Sequence, residues 1–437
     1  MRRTLLITCA ALSPDYLGDL DLTPNLHRLA AQGRASRLLP SFPAVTCSVQ
    51  ASIVTGRPPA DHGIVANGMV LRDLVEVRFW EQPASLVQAP PRWAALDPRP
   101  RVAMLFWQNS LYADVDCMIT PKPLHTEAGL VNDCYATPAG LYDELRGRLG
   151  EFPLHHYWGP MAGIACSQWI AAATEHVWRT QRPDLCLTYL PHLDYNTQRL
   201  GPDPASLADD LRQLDQLVGR LLDMARADGA RTVVLSEYSL SPVTRAVPLN
   251  RILRQAGLLA VRNVAGREYL DAGASRAFAM VDHQVAHVYV SPPTSARPAV
   301  DLPSLRRQLL AVDGVTEVLD ASAQAARGIA HPRSGDLVCV AEADAWFSYY
   351  WWLDDAVAPD FARTVDIHAK PGYDPVELFV DRATRTIPLD ASLVRGSHGR
   401  AGFDEPMGVL LVDDPPQALA GRDVLRAEEV LDLLLAQ

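Results

Sequence analysis

The chain has 437 residues, 48% hydrophobic and 21% charged, which is enough apolar matter for one large domain or two and excludes a disordered or fibrous protein. Its formal net charge is −11, with Lys and Arg scattered rather than gathered on one face, so no footprint for a nucleic-acid polymer is expected. The seven cysteines (Cys9, Cys47, Cys117, Cys134, Cys166, Cys186, Cys339) are odd in number and form no CxxC pair, which excludes a disulfide framework and points to a reducing, cytoplasmic setting.

The first predicted element is a buried strand, Leu5–Leu12. Its apolar run is too short to read as a signal peptide, and it leads into "SPDYL" with no convincing small-residue cleavage site. A helix follows over Pro24–Gln32, with Thr23 as cap, Pro24 at the first helical position and Gly33 as stop. Further helices are predicted at Thr46–Thr55, Leu141–Leu149, Ser206–Ala227 and Val424–Leu434. Further strands are predicted at Val102–Trp107, Leu185–Leu190, Thr232–Ser236 and Val409–Val412. Continuous apolar strands alternating with amphipathic helices predict an α/β, doubly wound, mostly parallel sheet. Residues 248–343 hold shorter elements and read as a smaller α/β lobe inserted between core segments 1–247 and 344–437. No apolar run is long enough to span a membrane, so a small-molecule substrate is expected rather than a membrane or polymer partner.

Thr46 stands at a helix start in "SFPAVTCSVQASIVTG". Helix starts at the carboxyl ends of parallel strands offer free N–H groups and a positive dipole to an anion. A threonine there serves as a cap or as a nucleophile, and the stretch alone leaves both open.

The segments "TPNLHRLAAQG" (Thr23–Gly33), "FPAVTCSVQASIVTGRPPADHGIVAN" (Phe42–Asn67), "FWQNS" (Phe106–Ser110), "PHLDYNTQRLGP" (Pro191–Pro202) and "RGSHGRAGFD" (Arg395–Asp404) together resemble the alkaline phosphatase superfamily. The branch they resemble is the nucleotide pyrophosphatase/phosphodiesterase group, including the members encoded in bacterial ebo-type operons. The resemblance implies an alkaline phosphatase-like α/β/α core and hydrolysis at phosphorus by a Thr or Ser nucleophile. It also implies two metal ions, usually zinc, clamping the attacking and leaving oxygens. By position it makes Thr46 the nucleophile and Asn67 the amide that holds a phosphoryl oxygen.

The same resemblance shows where the ligand pattern breaks. The Asp that should end the first strand is Ala10 in "AALSPDYL". In "DYNTQRLGP" Asp194 is kept but the His position is Gln198, a poor zinc ligand. The Asp-His pair after a later strand is Glu237 and Tyr238, while the last histidine is kept as His398. What remains admits at most one divalent ion (Zn, Mg, Mn or Ca), held by Asp194, Gln198 and His398, or none.

Two other stretches carry ionisable groups that could replace the lost ligands or act as acid and base. In "VDHQVAHVYV" these are Asp282 and His283, and on a strand His283 would share a face with His287. In "DFARTVDIHAKPGYDPVELF" they are Asp366 and His368, which would share a face if extended. The aromatic run Trp346–Trp352 reads as core or as a stacking wall. Three functions remain in play: an altered phosphoester or phosphodiester hydrolase or transferase, a binding pseudoenzyme on that scaffold, and an enzyme rebuilt for non-phosphoryl acid/base chemistry with Thr46, Glu237, Tyr238 and His398.

Overall fold

The computed structural model describes residues 2–127, 129–295 and 297–435. Nine strands form the main sheet: β1 (Thr4–Cys9), β2 (Arg34–Leu39), β3 (Val102–Leu105), β4 (Cys117–Pro121), β5 (Cys134–Thr137), β6 (Leu185–Leu190), β7 (Arg231–Leu235), and two late strands, Gly408–Val412 and Val424–Arg426. A second, antiparallel sheet lies between them in sequence and contains β8 (Ala277–Asp282), β9 (Val285–Val290), β10 (Val315–Leu319) and β11 (Leu337–Ala341). The late strands are therefore β12 and β13.

The main sheet runs β13-β2-β12-β7-β1-β6-β3-β4-β5. Strand β1 sits at its centre, parallel to both β6 and β7, and every residue from Thr4 to Cys9 is buried. That explains its unbroken apolar sequence, since both faces are covered. Helices α1 (Pro24–Gln32), α2 (Thr46–Thr55), α3 (Ile164–Thr180), α4 (His192–Leu200) and α5 (Ala208–Ala227) flank the sheet. The apolar residues split into one core beneath α1, α3 and α5 and another beneath α2 and the C-terminal segment. This is the two-faced α/β architecture that the alternation predicts.

Two elements differ from expectation. Strand β12, predicted as one more buried strand, is antiparallel to both neighbours, β7 and β2. The stretch Val424–Leu434 is not one helix. Its start is strand β13, parallel to β2; a 3-10 turn at Ala427–Glu429 follows and leads into the α-helix Val430–Leu435. The free edge of β2 captures that segment before helix can form.

The cap of α1 also differs. Thr23 gives no side-chain hydrogen bond to the helix; its hydroxyl donates to the Tyr16 carbonyl at 2.7 Å. The buried Asp215 carboxylate, on α5, accepts instead from the N–H groups of Asn25 (3.0 Å) and Leu26 (2.8 Å). A buried charge is thereby placed where the helix dipole favours it.

The second sheet has its own core, which extends beyond 248–343. It takes in Ala66, Val70 and Phe79 from earlier in the chain and Phe347, Tyr349–Trp352 and Tyr373 from later. The aromatic run is thus packing, buried throughout from Trp346 to Trp352.

Candidate active site

Helix α2 begins just beyond the main sheet, and Thr46 is its first residue. Thr46 does not cap the helix. Its hydroxyl meets the Tyr238 hydroxyl at 2.9 Å. Capping falls to Asn67, whose Oδ1 accepts the Cys47 N–H at 3.0 Å. Asn67 is held in turn by Asp282, to which its backbone N–H (2.7 Å) and side-chain amide (3.1 Å) both donate. Gly56 ends α2 in the left-handed conformation, at φ 64°, where a side chain would be strained.

Tyr238 follows β7 and packs its ring flat on His398, with centroids 3.6 Å apart at 10°. His398 packs against His283 at 3.8 Å with the rings tilted by 34°, and His283 stacks on Tyr373 at 3.6 Å. Four rings thus form one pile, Tyr238–His398–His283–Tyr373. Its far end is tied down where the Tyr373 hydroxyl donates to Gln198 Oε1 at 2.8 Å. Gln198 also donates its amide to Asp194, one turn away on α4.

Local backbone geometry sets these positions. His398 follows the short strand Gly396–Ser397, and a Cβ on Gly396 would lie 2.3 Å from the Thr197 carbonyl, so only glycine lets this strand approach α4. The Gly399 carbonyl accepts the Ala44 N–H at 3.0 Å, and the His398 carbonyl accepts the Gln284 N–H at 2.9 Å. One short segment therefore stitches the Thr46 loop to the second sheet. His283 lies in the β8–β9 turn with φ 57°. The expected shared strand face with His287 does not arise, because the chain reverses between them. His287 instead accepts the Gly335 N–H.

The tautomers follow from partners. His398 Nδ1 lies 2.7 Å from the Ala44 carbonyl and must donate, so its Nε2 presents a lone pair. That nitrogen has no hydrogen-bond partner and lies 4.0 Å from Asp194 Oδ1, also unpartnered. His283 Nδ1 donates to Asp282 at 2.7 Å. Glu237 Oε1 accepts from Gln50 at 2.6 Å, while its Oε2 is unpartnered.

Burial pushes the Asp194 and Glu237 carboxyls each up to about 7, the bonds from Gln198 and Gln50 offsetting part of the effect, and pushes Asp282 up to about 6. Desolvation holds His283 and His398 well below the usual imidazole range. It also keeps the Tyr238 phenol protonated, helped by the negative Asp194 and Glu237 nearby. No Lys or Arg forms an ion pair with these three carboxyls among the described residues.

Thr46, Asn67, Asp194, Gln198, Glu237, Tyr238, Asp282, His283 and His398 thus belong to one connected cluster. Asp366 and His368 do not join it. Asp366 accepts the Ala369 N–H in a tight turn, and His368 is exposed with its ring on the Phe79 carbonyl. Tyr373, Gln50 and Tyr189 are members that sequence reasoning did not single out. Tyr189, near the end of β6, is buried close to Thr46.

Residues 4–374 match the family described as type I phosphodiesterase / nucleotide pyrophosphatase. The chain belongs to this family. An uncharacterized pyrophosphatase/phosphodiesterase of Schizosaccharomyces pombe is 23% identical over 293 residues, 66% of this chain and 53% of its own length. An ectonucleotide pyrophosphatase/phosphodiesterase of Caenorhabditis elegans is 22% identical over 274 residues, 61% of this chain and 32% of its own. The chain therefore spans about half of the first relative and a third of the second. Phosphonoacetate hydrolase from Sinorhizobium meliloti, solved with phosphonoformate, shares the fold at a TM-score of 0.64 and 18% identity, over 98% of this chain and 94% of that one. Murine ectonucleotide pyrophosphatase / phosphodiesterase 5, an inactive variant with AMP, does so at 0.61 and 14% identity, over 99% and 94%.

The family resemblance implies a two-metal site, and the residues here do not fit one. Three of the ligand positions it assigns are Ala10, Gln198 and Tyr238. The described residues include no group of three His, Cys, Asp or Glu side chains placed to share an ion.

Proposed function

We propose that this protein is a hydrolase or transferase acting on a small phosphoester or phosphodiester-like substrate, with Thr46 as the attacking group. The observation that carries this is the Thr46 hydroxyl, which is not spent on capping its helix and is held by Tyr238 beside the helix N-terminus. In the step envisaged, Thr46 Oγ bonds to phosphorus, the ester oxygen leaves with a proton, and water later releases the phosphoryl group. The Thr46 proton needs an acceptor. Asp194 and Glu237, whose carboxyls titrate near neutrality, are the bases the cluster offers. The second hydrogen of the Asn67 amide and the Thr46 N–H at the start of α2 are the donors left for a phosphoryl oxygen, since the first amide hydrogen goes to Asp282 and the Cys47 N–H to Asn67. The murine neighbour, captured with AMP as an inactive variant, supports a nucleotide-like or aryl ester as the first substrate to try. The seven cysteines are all free and buried, which supports a reducing compartment, and no described helix is long and apolar enough to cross a membrane.

The test is turnover of an aryl phosphodiester by wild type and Thr46→Ala. Release of the aryl alcohol by the first and not by the second is the expected result; identical background rates would overturn the proposal. The closed ring pile favours a second reading, a non-hydrolytic binding protein, and that reading gains if both rates stay at background.

A further inference from the structure

The substituted ligand positions share a property: each has been given a partner from the protein itself. Gln198 uses its carbonyl oxygen on Tyr373 and its amide on Asp194. Glu237 is bonded to Gln50, whose own Oε1 accepts the Gln108 N–H at 2.8 Å. Tyr238 is bonded to Thr46 and stacked on His398. Ala10 is fully buried in the core. At these positions Glu237 Oε2 is the one buried polar atom left without a partner.

We propose that the Thr46 site is a metal-independent one, in which the Tyr238 phenol, rather than an ion, holds the hydroxyl of the reacting threonine. The proposal deepens the reading of Thr46 as the attacking group, but its main test does not depend on turnover.

Three further observations support it. The first is donor count. Three inherited ligand positions keep a free donor atom, Asp194 Oδ1, His398 Nε2 and Glu237 Oε2, the first two 4.0 Å apart, and among the described residues no three His, Cys, Asp or Glu side chains are placed to share an ion. Tetrahedral zinc, with bonds of about 2.0–2.1 Å, would bring two such atoms to about 3.3 Å and call for three or four protein ligands. Hard ions ask for still more oxygens. The second is the hydroxyl contact. The Tyr238 hydroxyl lies 2.9 Å from the Thr46 hydroxyl, so the position that the resemblance gives to a ligand is spent on the threonine itself. The third is positioning. Tyr238 and His283 pack against His398 and its Nδ1 donates to the Ala44 carbonyl, so the imidazole is positioned by protein contacts without needing an ion to orient it.

The experiment uses the full-length wild type, expressed in medium supplemented with zinc and manganese and then desalted. Elemental analysis is expected to find under about 0.1 ion per chain, where a structural-grade site would retain its metal. EDTA, and separately millimolar zinc chloride, are expected to leave Tm within about 1 °C, whereas a site with micromolar Kd would gain several degrees. Cobalt(II) is expected to give no ligand-field absorption. The ligand-restoring variant Glu237→Asp/Tyr238→His is the comparison, and it is expected to gain zinc retention and cobalt bands. A stoichiometric ion retained by the wild type and lost in Asp194→Asn would overturn the proposal, whatever the variants do. Diesterase turnover that EDTA abolishes and zinc restores would also overturn it. Absence of all turnover would count against Thr46 as nucleophile and leave the metal analysis to decide this question by itself.

Discussion

Thr46 and Tyr238 carry the sharpest residue-scale predictions. Thr46→Ala removes the attacking oxygen and is expected to lower turnover by about 10³-fold or more, read in the aryl diester assay. Tyr238→Phe keeps the ring on His398 and deletes one hydroxyl, so the fold should persist. Here kcat is expected to fall by about 10-fold to 100-fold with KM little changed, the signature of a contact that matters more in the transition state. The sequence pointed to Thr46, Asp194, His398 and the altered Glu237–Tyr238 pair because these stand in local motifs. It did not reveal that Asn67 caps α2, because the Cys47–Asn67 bond joins residues 20 positions apart across a turn. Nor did it show that Asp366 would be spent on a loop turn, which depends on backbone conformation rather than on spacing.

At the scale of elements, two buried carboxylate arrangements are testable. Asp215 on α5 caps α1 from 190 residues away. Asp215→Ala leaves the buried Leu26 N–H and the part-buried Asn25 N–H without a partner and is expected to cost about 2 kcal/mol by urea unfolding. Lys370 satisfies all three of its donors at once, on Asp374 (2.8 Å), Glu377 (2.6 Å) and the Thr364 carbonyl (3.0 Å). This bolt fixes the loop that carries Tyr373 into the ring pile. Lys370→Ala would strand two buried carboxylates, and a loss of about 3–5 kcal/mol is expected, with faster hydrogen exchange over residues 364–378 as the local readout. Elements whose identity is written in unbroken apolar runs, such as β1 and β6, were legible. The direction of β12 and the strand character of β13 were not, because both depend on which edge is free when they arrive.

For the whole molecule, buried titratable groups set the acid limit. His62 is pushed down to about 3, His192 and His287 to about 4, and His283 and His398 well below the usual range, all chiefly by desolvation. On unfolding between about pH 5 and 6.5 these five imidazoles take up protons. In the same window Asp194, Glu237 and Asp282, raised to about 7, 7 and 6, release theirs. Uptake outweighs release most toward about pH 5 and the two come into balance near neutrality, so stability is expected to rise with pH through this window and to level off near neutrality. Unfolding midpoints in urea at pH 5.5, 6.5 and 7.5 test this; a flat series would contradict it. The fold class was legible because two-sided burial leaves its mark on each strand. The ring pile was not, since its members come from four distant segments and nothing local announces that they meet.

The bond between Ala44 and His398 spans 354 residues. During synthesis Thr46 leaves the ribosome long before Tyr238, His283, Tyr373 and His398 exist to surround it. Closing so large a loop comes late, after the local helices and the central strands have formed. The site is therefore a closing clasp between the Thr46 loop and the second sheet, and a chain interrupted before residue 398 would carry most of the main sheet with a bare, unclasped threonine.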